Sequence, residues 1–238
     1  MSQFPHRPQS GFVRQLFARI APRYDLLNRL MTFGLDLRWR RDAVRKLPLR
    51  RTSCVLDVGA GTGDLCLEIL RREPRATVVA LDFTPEMIAL GRAHTDPKRV
   101  FWVLADAHHL PFPARLFDGI GSGFLFRNLS DPVRALEEQK RVLLQDGAIV
   151  SIDAVASTGG RRPLLVEAYF RWIIPLLGRL VAGDAEAYNY LPASMEAFIT
   201  AEEFAEHMRQ VGFTKVRFLP RMFATIAIHW GRKPNDHP

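Results

Sequence analysis

Five short apolar runs, most of them followed by a stretch of helical pattern, constrain this chain more than any other feature. Cys54–Val58, Thr77–Leu81, Val100–Ala105, Phe117–Gly123 and Ala148–Val155 are too short for buried helices and read as strands. The first leads into a helix ending near Arg72. The second leads into one starting at Thr84, expected as N-cap with Pro85 at N1, and the fourth into one from Asp131 through Leu144. This alternation predicts an α/β fold, a parallel sheet with helices on both faces. Upstream, Phe12, Val13, Leu16, Phe17 and Ile20 keep helical spacing as far as Pro22, and a second helical pattern runs from Leu35 to Leu47 before Pro48. Downstream, an aromatic-rich helical insertion at about 161–195 interrupts the alternation. Thr200-Ala-Glu-Glu203 is a capping box that opens a helix to Gln210. Lys215–Leu219 and Met222–Trp230 then read as a closing hairpin across Pro220-Arg221. The economical parse is a helical cover over 1–50 and one domain over 51–238 that carries the 161–195 insertion.

Length and composition agree with one packed domain. The 238 residues are 47% apolar and 24% charged, which excludes disordered and collagen-like classes. A chain of this size buries roughly 70–75% of its unfolded surface, so no disulfide or metal staple is needed. Cys54 and Cys66 lack CxxC spacing and read as buried thiols in a reducing, cytoplasmic compartment. Met1–Ser10 has no apolar leader core, and the most apolar stretch, Trp172–Gly183, is broken by Pro175 and Arg179. It falls short of the ~20 residues that a membrane-spanning helix needs. Charge is uneven. Residues 1–51 hold twelve Arg or Lys against three Asp, a net +9, while the remainder holds 21 basic and 22 acidic residues. Such a block attracts a polyanion, either nucleic acid or an anionic membrane surface, and is equally compatible with a solvated face.

The densest motif is Val55-Leu-Asp-Val-Gly-Ala-Gly-Thr-Gly-Asp64, with glycines at 59, 61 and 63. Glycine there lets the backbone turn tightly and approach a ligand at a helix N-terminus. Its context is that of a nucleotide site: a strand before, a helix after, and Asp82 at the end of the next strand, placed to accept from both ribose hydroxyls. The sixth loop position is Asp64, and no Lys or Arg lies between Gly59 and Glu68. A carboxylate there repels pyrophosphate and suits a ligand whose charge near the loop is positive. S-adenosylmethionine, with its amine and sulfonium, is such a ligand. Asp106-Ala107 at the end of the third strand then meets the adenine edge.

These residues sit inside a longer pattern that resembles the ubiquinone/menaquinone biosynthesis C-methyltransferases, from about Arg14 to Lys233. Tyr24-Asp-Leu-Leu-Asn-Arg-Leu-Met-Thr32 followed by Trp39 is similar to the family's N-terminal signature, with Leu27 for Met, Thr32 for Ser and Asp36 for a usual His. The glycine loop, Asp106-Ala107 with Leu110-Pro-Phe112, Arg127-Asn128, Arg141-Val-Leu143, Tyr188-Asn-Tyr-Leu191 and the closing Ala227–Lys233 match as well. The resemblance implies a class I S-adenosylmethionine-dependent methyltransferase: Rossmann-like, with a seven-stranded sheet and an antiparallel last strand. The family's cofactor contacts then fall on Thr62, Asp82, Asp106 and Ala107, and the neighbouring Asp57, Gly59, Gly61, Gly63 and Phe83 are expected to complete the cofactor site. Gly123 stands where the family has a contacting Ser, and Ser122, one residue early, points to the other side of its strand. With Leu125 it marks a divergent member.

The implied reaction is C-methylation of a polyprenyl quinol ring, an in-line displacement in which positioning matters most. The ring carbon becomes nucleophilic when the neighbouring hydroxyl, with a pKa near ~10 by analogy with Tyr, loses its proton. Arg127 is expected to stabilise the phenolate, and Asn128 and Tyr24 to hold the water that takes the proton. A salt-bridging Arg127 and a core Tyr24 are the bland alternatives. Phe124, Tyr188 and Tyr190 are the expected substrate wall; the insertion from Tyr169 to Val181 reads either as a lipid-tail wall or as an ordinary packed helix. His108 and His109 read as loop residues, His229 as structural, and nothing has metal-ligand spacing. The expected partners are a lipid quinol and the inner face of a membrane, touched peripherally, with a homodimer left open. Other small aromatic or carbon-acid substrates, or an inactive cofactor-binding role, are the competing readings. Nucleic acid is disfavoured because Arg127-Asn-Leu-Ser130 replaces the N/D-P-P-[YF] motif of base methylation.

Overall fold

The computed structural model describes residues 10–156, 169, 173 and 198–235. The helices are α1 (Ser10–Ile20), α2 (Tyr24–Thr32), α3 (Leu35–Val44), α4 (Asp64–Arg72), α5 (Pro85–His94), α6 (Pro132–Val142) and α7 (Ala201–Gln210). The strands are β1 (Cys54–Val58), β2 (Thr77–Asp82), β3 (Val100–Leu104), β4 (Phe117–Gly123), β5 (Leu143–Ala154), β6 (Thr214–Arg221) and β7 (Ile226–Arg232). They form a seven-stranded sheet in the order β3-β2-β1-β4-β5-β7-β6. Strands β1 to β5 pair in parallel, and β7 runs antiparallel to both β5 and β6. From β1 the chain winds outward to β3 and then returns to start β4 on the other side. The crevice between the β1 and β4 ends is therefore the topological switch point, where open α/β sheets bind ligands.

Two apolar layers cover the sheet. Trp39, Ala43 and Val44 of α3 and Leu65, Cys66 and Ile69 of α4 pack one face. Leu136 and Val142 of α6 with Phe204 and Met208 of α7 pack the other. Gly121 thins β4 where α4 comes closest, since a Cβ there would lie 2.8 Å from Leu65 Cδ2. Leu16, Ile20 and Leu27 form a smaller cluster within α1 and α2.

Several boundaries differ from the sequence expectations. Pro22 does not end the helical region: it sits in a 3-10 turn, Ala21–Arg23, from which α2 departs at once. Helical spacing is hard to read in α2 because Leu26 and Leu30 face solvent while Leu27 is buried. Helix α6 stops at Val142, because Leu143 already pairs with Phe117 as the start of β5. The last turn follows Arg221 rather than crossing Pro220-Arg221, and Pro220 pairs opposite Ala227. Proline is tolerated there because β6 is the sheet edge. Thr84 is the N-cap of α5 but makes no side-chain cap bond; its hydroxyl turns to Asp82. The Thr200–Glu203 capping box is present. The 161–195 insertion, with Tyr188 and Tyr190, lies outside the described residues apart from Tyr169 and Ile173.

Candidate active site

The glycine loop leaves β1 at the switch point and enters α4. Gly59 (φ 70°) and Ala60 donate from their amides to the Leu81 carbonyl at 2.8 and 2.9 Å, which closes the turn against β2. A side chain at Gly59 is excluded twice over: its φ is left-handed, and a Cβ would lie 2.7 Å from Leu125 Cδ1. At the end of β2 the Asp82 carboxylate accepts from Gly61 N (2.8 Å) and Thr84 N (2.9 Å). Burial pushes the Asp82 pKa up, against the lowering effect of those bonds. Asp82 thus braces the loop from below.

Around this loop a cleft encloses about 770 Å³, part of it open to solvent. Asp82, Phe83, Asp106 and Ala107 line one end, Gly123, Phe124 and Asn128 another, and Val13, Arg14 and Phe17 of α1 border it. The Arg14 guanidinium lies 5.8 Å from the centre of the Phe83 ring, which ties α1 to the rim. A second, smaller space of about 280 Å³, also partly open to solvent, is lined by Asp57, Thr62, Asp64 and Arg40. Tyr24, Gly59, Gly61 and Gly123 border both spaces.

Asp57, which lines the smaller space, is fully buried. Its Oδ2 accepts from Cys66 Sγ at 3.1 Å, while Oδ1 is buried without a hydrogen-bond partner. Burial raises its pKa to about 7. An orphaned carboxylate oxygen in a polar lobe is matched by a cationic ligand group, such as an ammonium.

The N-terminal helices are fastened to the loop by polar ties that periodicity did not reveal. Thr62 Oγ1 donates to Asp25 Oδ1 at 2.6 Å. Arg29 Nη2 donates to both oxygens of Asp64, at 2.9 and 2.8 Å, and Arg40 Nη2 lies 3.5 Å from Asp64. Both guanidiniums also reach Asp36, which is fully buried; Arg40 does so at 2.8 Å. Asp64 is therefore not the isolated negative charge that the sequence suggested. Arg29 and Arg40 neutralise it, so its repulsion of phosphate carries less weight and the orphaned Asp57 carries more. Part of the basic N-terminal block is spent inside the molecule. The available signals were the Tyr24-Asp25 pair and three acids spaced among twelve cations.

The expected catalytic residues do not all face the cleft. Tyr24 does, and burial raises the pKa of its phenol, so it stays a proton donor; Arg40 and Arg127 partly oppose the shift. Asn128 does, with Nδ2 donating to the Phe124 carbonyl at 2.8 Å. Phe124 adopts φ 60° and lines the cleft, its ring flanked by Arg40 at 5.5 Å and Arg127 at 5.3 Å. Arg127 is not among the lining residues. Its Nη1 donates to Asp153 Oδ1 at 3.0 Å in a buried pair, and Asp153 Oδ2 also accepts from Phe126 N at 2.7 Å. The Nη1 bond ties the guanidinium to the 124–128 turn through Asp153, while its Nε is buried without a hydrogen-bond partner among the described residues. Gly123 lines both lobes, and a Cβ there would meet nothing within 4 Å; Ser122 is buried and lines neither. His229 is buried, bonded to the Ala201 carbonyl at 2.9 Å, and its pKa is lowered to about 4 by burial.

A model of the ubiE/COQ5 methyltransferase family matches residues 6–233. A demethylmenaquinone methyltransferase of Thermus thermophilus is 42% identical over 221 residues, covering 92% of this chain and 100% of the relative. A ubiquinone/menaquinone biosynthesis C-methyltransferase UbiE of Desulfotalea psychrophila is 39% identical, over 93% of this chain and 90% of the relative. Among solved structures, the [4+2]-cyclase SpnF superposes with a TM-score of 0.72 at 18% identity, over 98% of this chain and 99% of that one. A SAM-dependent methyltransferase from Aquifex aeolicus does so at 0.60 and 20% identity, over 83% and 91%. At such identities the likeness speaks for the fold alone, and a cyclase in this fold shows that fold does not choose the reaction. The family match, spanning nearly every residue, does choose a class: the chain belongs to the ubiE/COQ5 methyltransferase family.

Proposed function

We propose that the protein transfers a methyl group from S-adenosylmethionine to a ring carbon of a demethylmenaquinol or a related polyprenyl benzoquinol. The observation that carries this reading is full-length similarity to a demethylmenaquinone methyltransferase. Cofactor placement rests on the cleft. Asp57 Oδ1 would take the ammonium, the loop glycines would pass under the amino-acid chain, Asp82 would clasp the ribose, and Asp106-Ala107 would meet adenine. The open space at Gly123 leaves room beside the sulfonium. When bound, the cofactor supplies an electrophilic methyl group.

This chain's residues supply position and proton control. Tyr24 and Asn128, both facing the cleft, would order the water that takes the quinol proton; Tyr24, kept protonated by burial, acts as a hydrogen-bond donor. Phe124 would stack on the quinol ring. Arg127 acts as a positioning residue through Asp153, and its positive charge still favours an anion nearby. Tyr188 and Tyr190, outside the described residues, are proposed for the tail.

Among the described residues no helix is long and apolar enough to cross a membrane. A lipid substrate still has to be met at a bilayer. Leu26, Leu30, Phe33, Leu35 and Leu37 are all exposed around the α2–α3 turn, with Phe33 73% exposed at its tip. We therefore assign peripheral docking on the cytoplasmic face of the membrane to this turn. Arg38 and Arg41 are exposed beside it, while Arg40 is buried in the Asp36 pair.

The deciding assay uses purified protein, S-adenosylmethionine and a short-tailed demethylmenaquinol kept reduced in detergent. The expected product carries one extra ring methyl by mass spectrometry. Turnover of water-soluble phenols with none of either quinol would overturn the reading.

A further inference from the structure

Asp106 stands at the end of β3 with its side chain 41% exposed, yet its orientation is fixed. Oδ1 accepts from the backbone N of His108 at 2.9 Å and meets His108 Nδ1 at 2.6 Å. The other ring nitrogen, Nε2, faces the backbone N of Asp131 at 3.2 Å and Ser130 Oγ at 3.4 Å. A backbone N–H can only donate, so Nε2 must be the acceptor and Nδ1 must carry the hydrogen. The ring therefore donates to Asp106 and accepts from Asp131. Asp131 in turn caps α6, accepting from Arg134 N at 3.0 Å. His108, nine-tenths buried and lining the cleft, thus braces the Asp106 carboxylate against the end of a helix on the far side of the switch point.

From this geometry we propose that His108 is a positioning residue for cofactor recognition, turning Asp106 so that Oδ2 faces the cleft and selects a 6-amino over a 6-oxo purine. With Oδ1 holding two donors from His108, Oδ2 has no bond to a described residue and is the oxygen left for a ligand. A carboxylate oxygen accepts only. It pairs with the exocyclic amine of adenine and repels the carbonyl of hypoxanthine. A freely rotating carboxylate would spread over several rotamers, and its ordering would cost part of the binding energy. The inference rests on the reading that places adenine at Asp106.

Two substitutions separate the halves of the brace. Asparagine places an amide near the Nδ1 position and can still donate to Asp106; glutamine reaches the Nε2 position and can still accept from Asp131. Calorimetry compares S-adenosylhomocysteine with its deaminated inosine analogue for the parent, His108→Asn, His108→Gln and Asp106→Ala proteins. His108→Gln is expected to weaken the adenosine ligand about tenfold, the scale of one charge-assisted hydrogen bond, and to narrow its lead over the inosine analogue. His108→Asn should stay within about twofold of the parent, a split that loss of packing would not produce. In turnover, His108→Gln should raise KM for S-adenosylmethionine and leave kcat at saturation unchanged. Parent-like affinity and selectivity in His108→Gln, alongside a loss in Asp106→Ala, would overturn the role of His108. An Asp106→Ala protein that binds as the parent does would instead overturn the adenine placement, and the proposal with it.

Discussion

Asp57 has its outcome decided by burial. The sequence shows an acid at the end of an apolar strand; only packing strips one oxygen of any partner and lifts its pKa to about 7 from an ordinary 3.8. The folded state then keeps a proton that the unfolded chain has released, so its stability contribution is full below about pH 4 and is lost as pH rises through about 7. Asp57→Asn is expected to flatten that slope, raising Tm at pH 8 and leaving it unchanged at pH 4. A cationic ligand favours the ionised carboxylate instead. Binding of S-adenosylmethionine near neutrality should release a proton, with affinity rising from about pH 6 to about pH 8. Calorimetry in two buffers of different ionisation enthalpy reads that proton, and no buffer dependence would remove the amine from Asp57. Gly123→Ser is expected to bind the cofactor more tightly, because the space is open and a hydroxyl there reaches both lobes.

Elements carry two further predictions. Gly91 of α5 faces the Trp102 ring of β3, and a methyl group at Gly91 would overlap that ring. The ring is held by Nε1 donating to Thr95 Oγ1 at 3.0 Å, so it cannot swing aside freely. Gly91→Ala should cost about 1–3 kcal/mol in chemical denaturation, and Trp102→Leu in the same chain should restore part of it. The second concerns the tie between α3 and the loop. Arg40→Met leaves Asp36 buried with one cation fewer and should cost about 3 kcal/mol. Adding Asp36→Leu should recover most of that, because no uncompensated charge then remains inside. These ties were illegible beforehand: an Arg-rich helix reads alike whether its cations face lipid, solvent or buried acids. The strands were easy to read, since short apolar runs bounded by turn residues leave no other economical structure. The Leu143 boundary was not, because a leucine that ends a helix and one that starts a strand have the same hydropathy.

For the molecule as a whole, the prediction is about surfaces. Leu30→Asp with Phe33→Asp should abolish co-sedimentation with vesicles rich in anionic lipid and leave turnover on detergent-dispersed quinol unchanged. Retained sedimentation would move the docking face elsewhere. The exposed side chains sit around one turn, and nothing in their spacing announced that they would all stay outside. By itself the sequence determined the β-α alternation, the glycine loop, the acids at the ends of β2 and β3 and the family pattern, because these depend on local propensity and spacing. The tertiary structure decided which charges cancel, which carboxylate oxygen is left without a donor, and that Arg127 turns to Asp153. Those outcomes depend on distances between residues far apart in the chain, and local pattern holds no information about them.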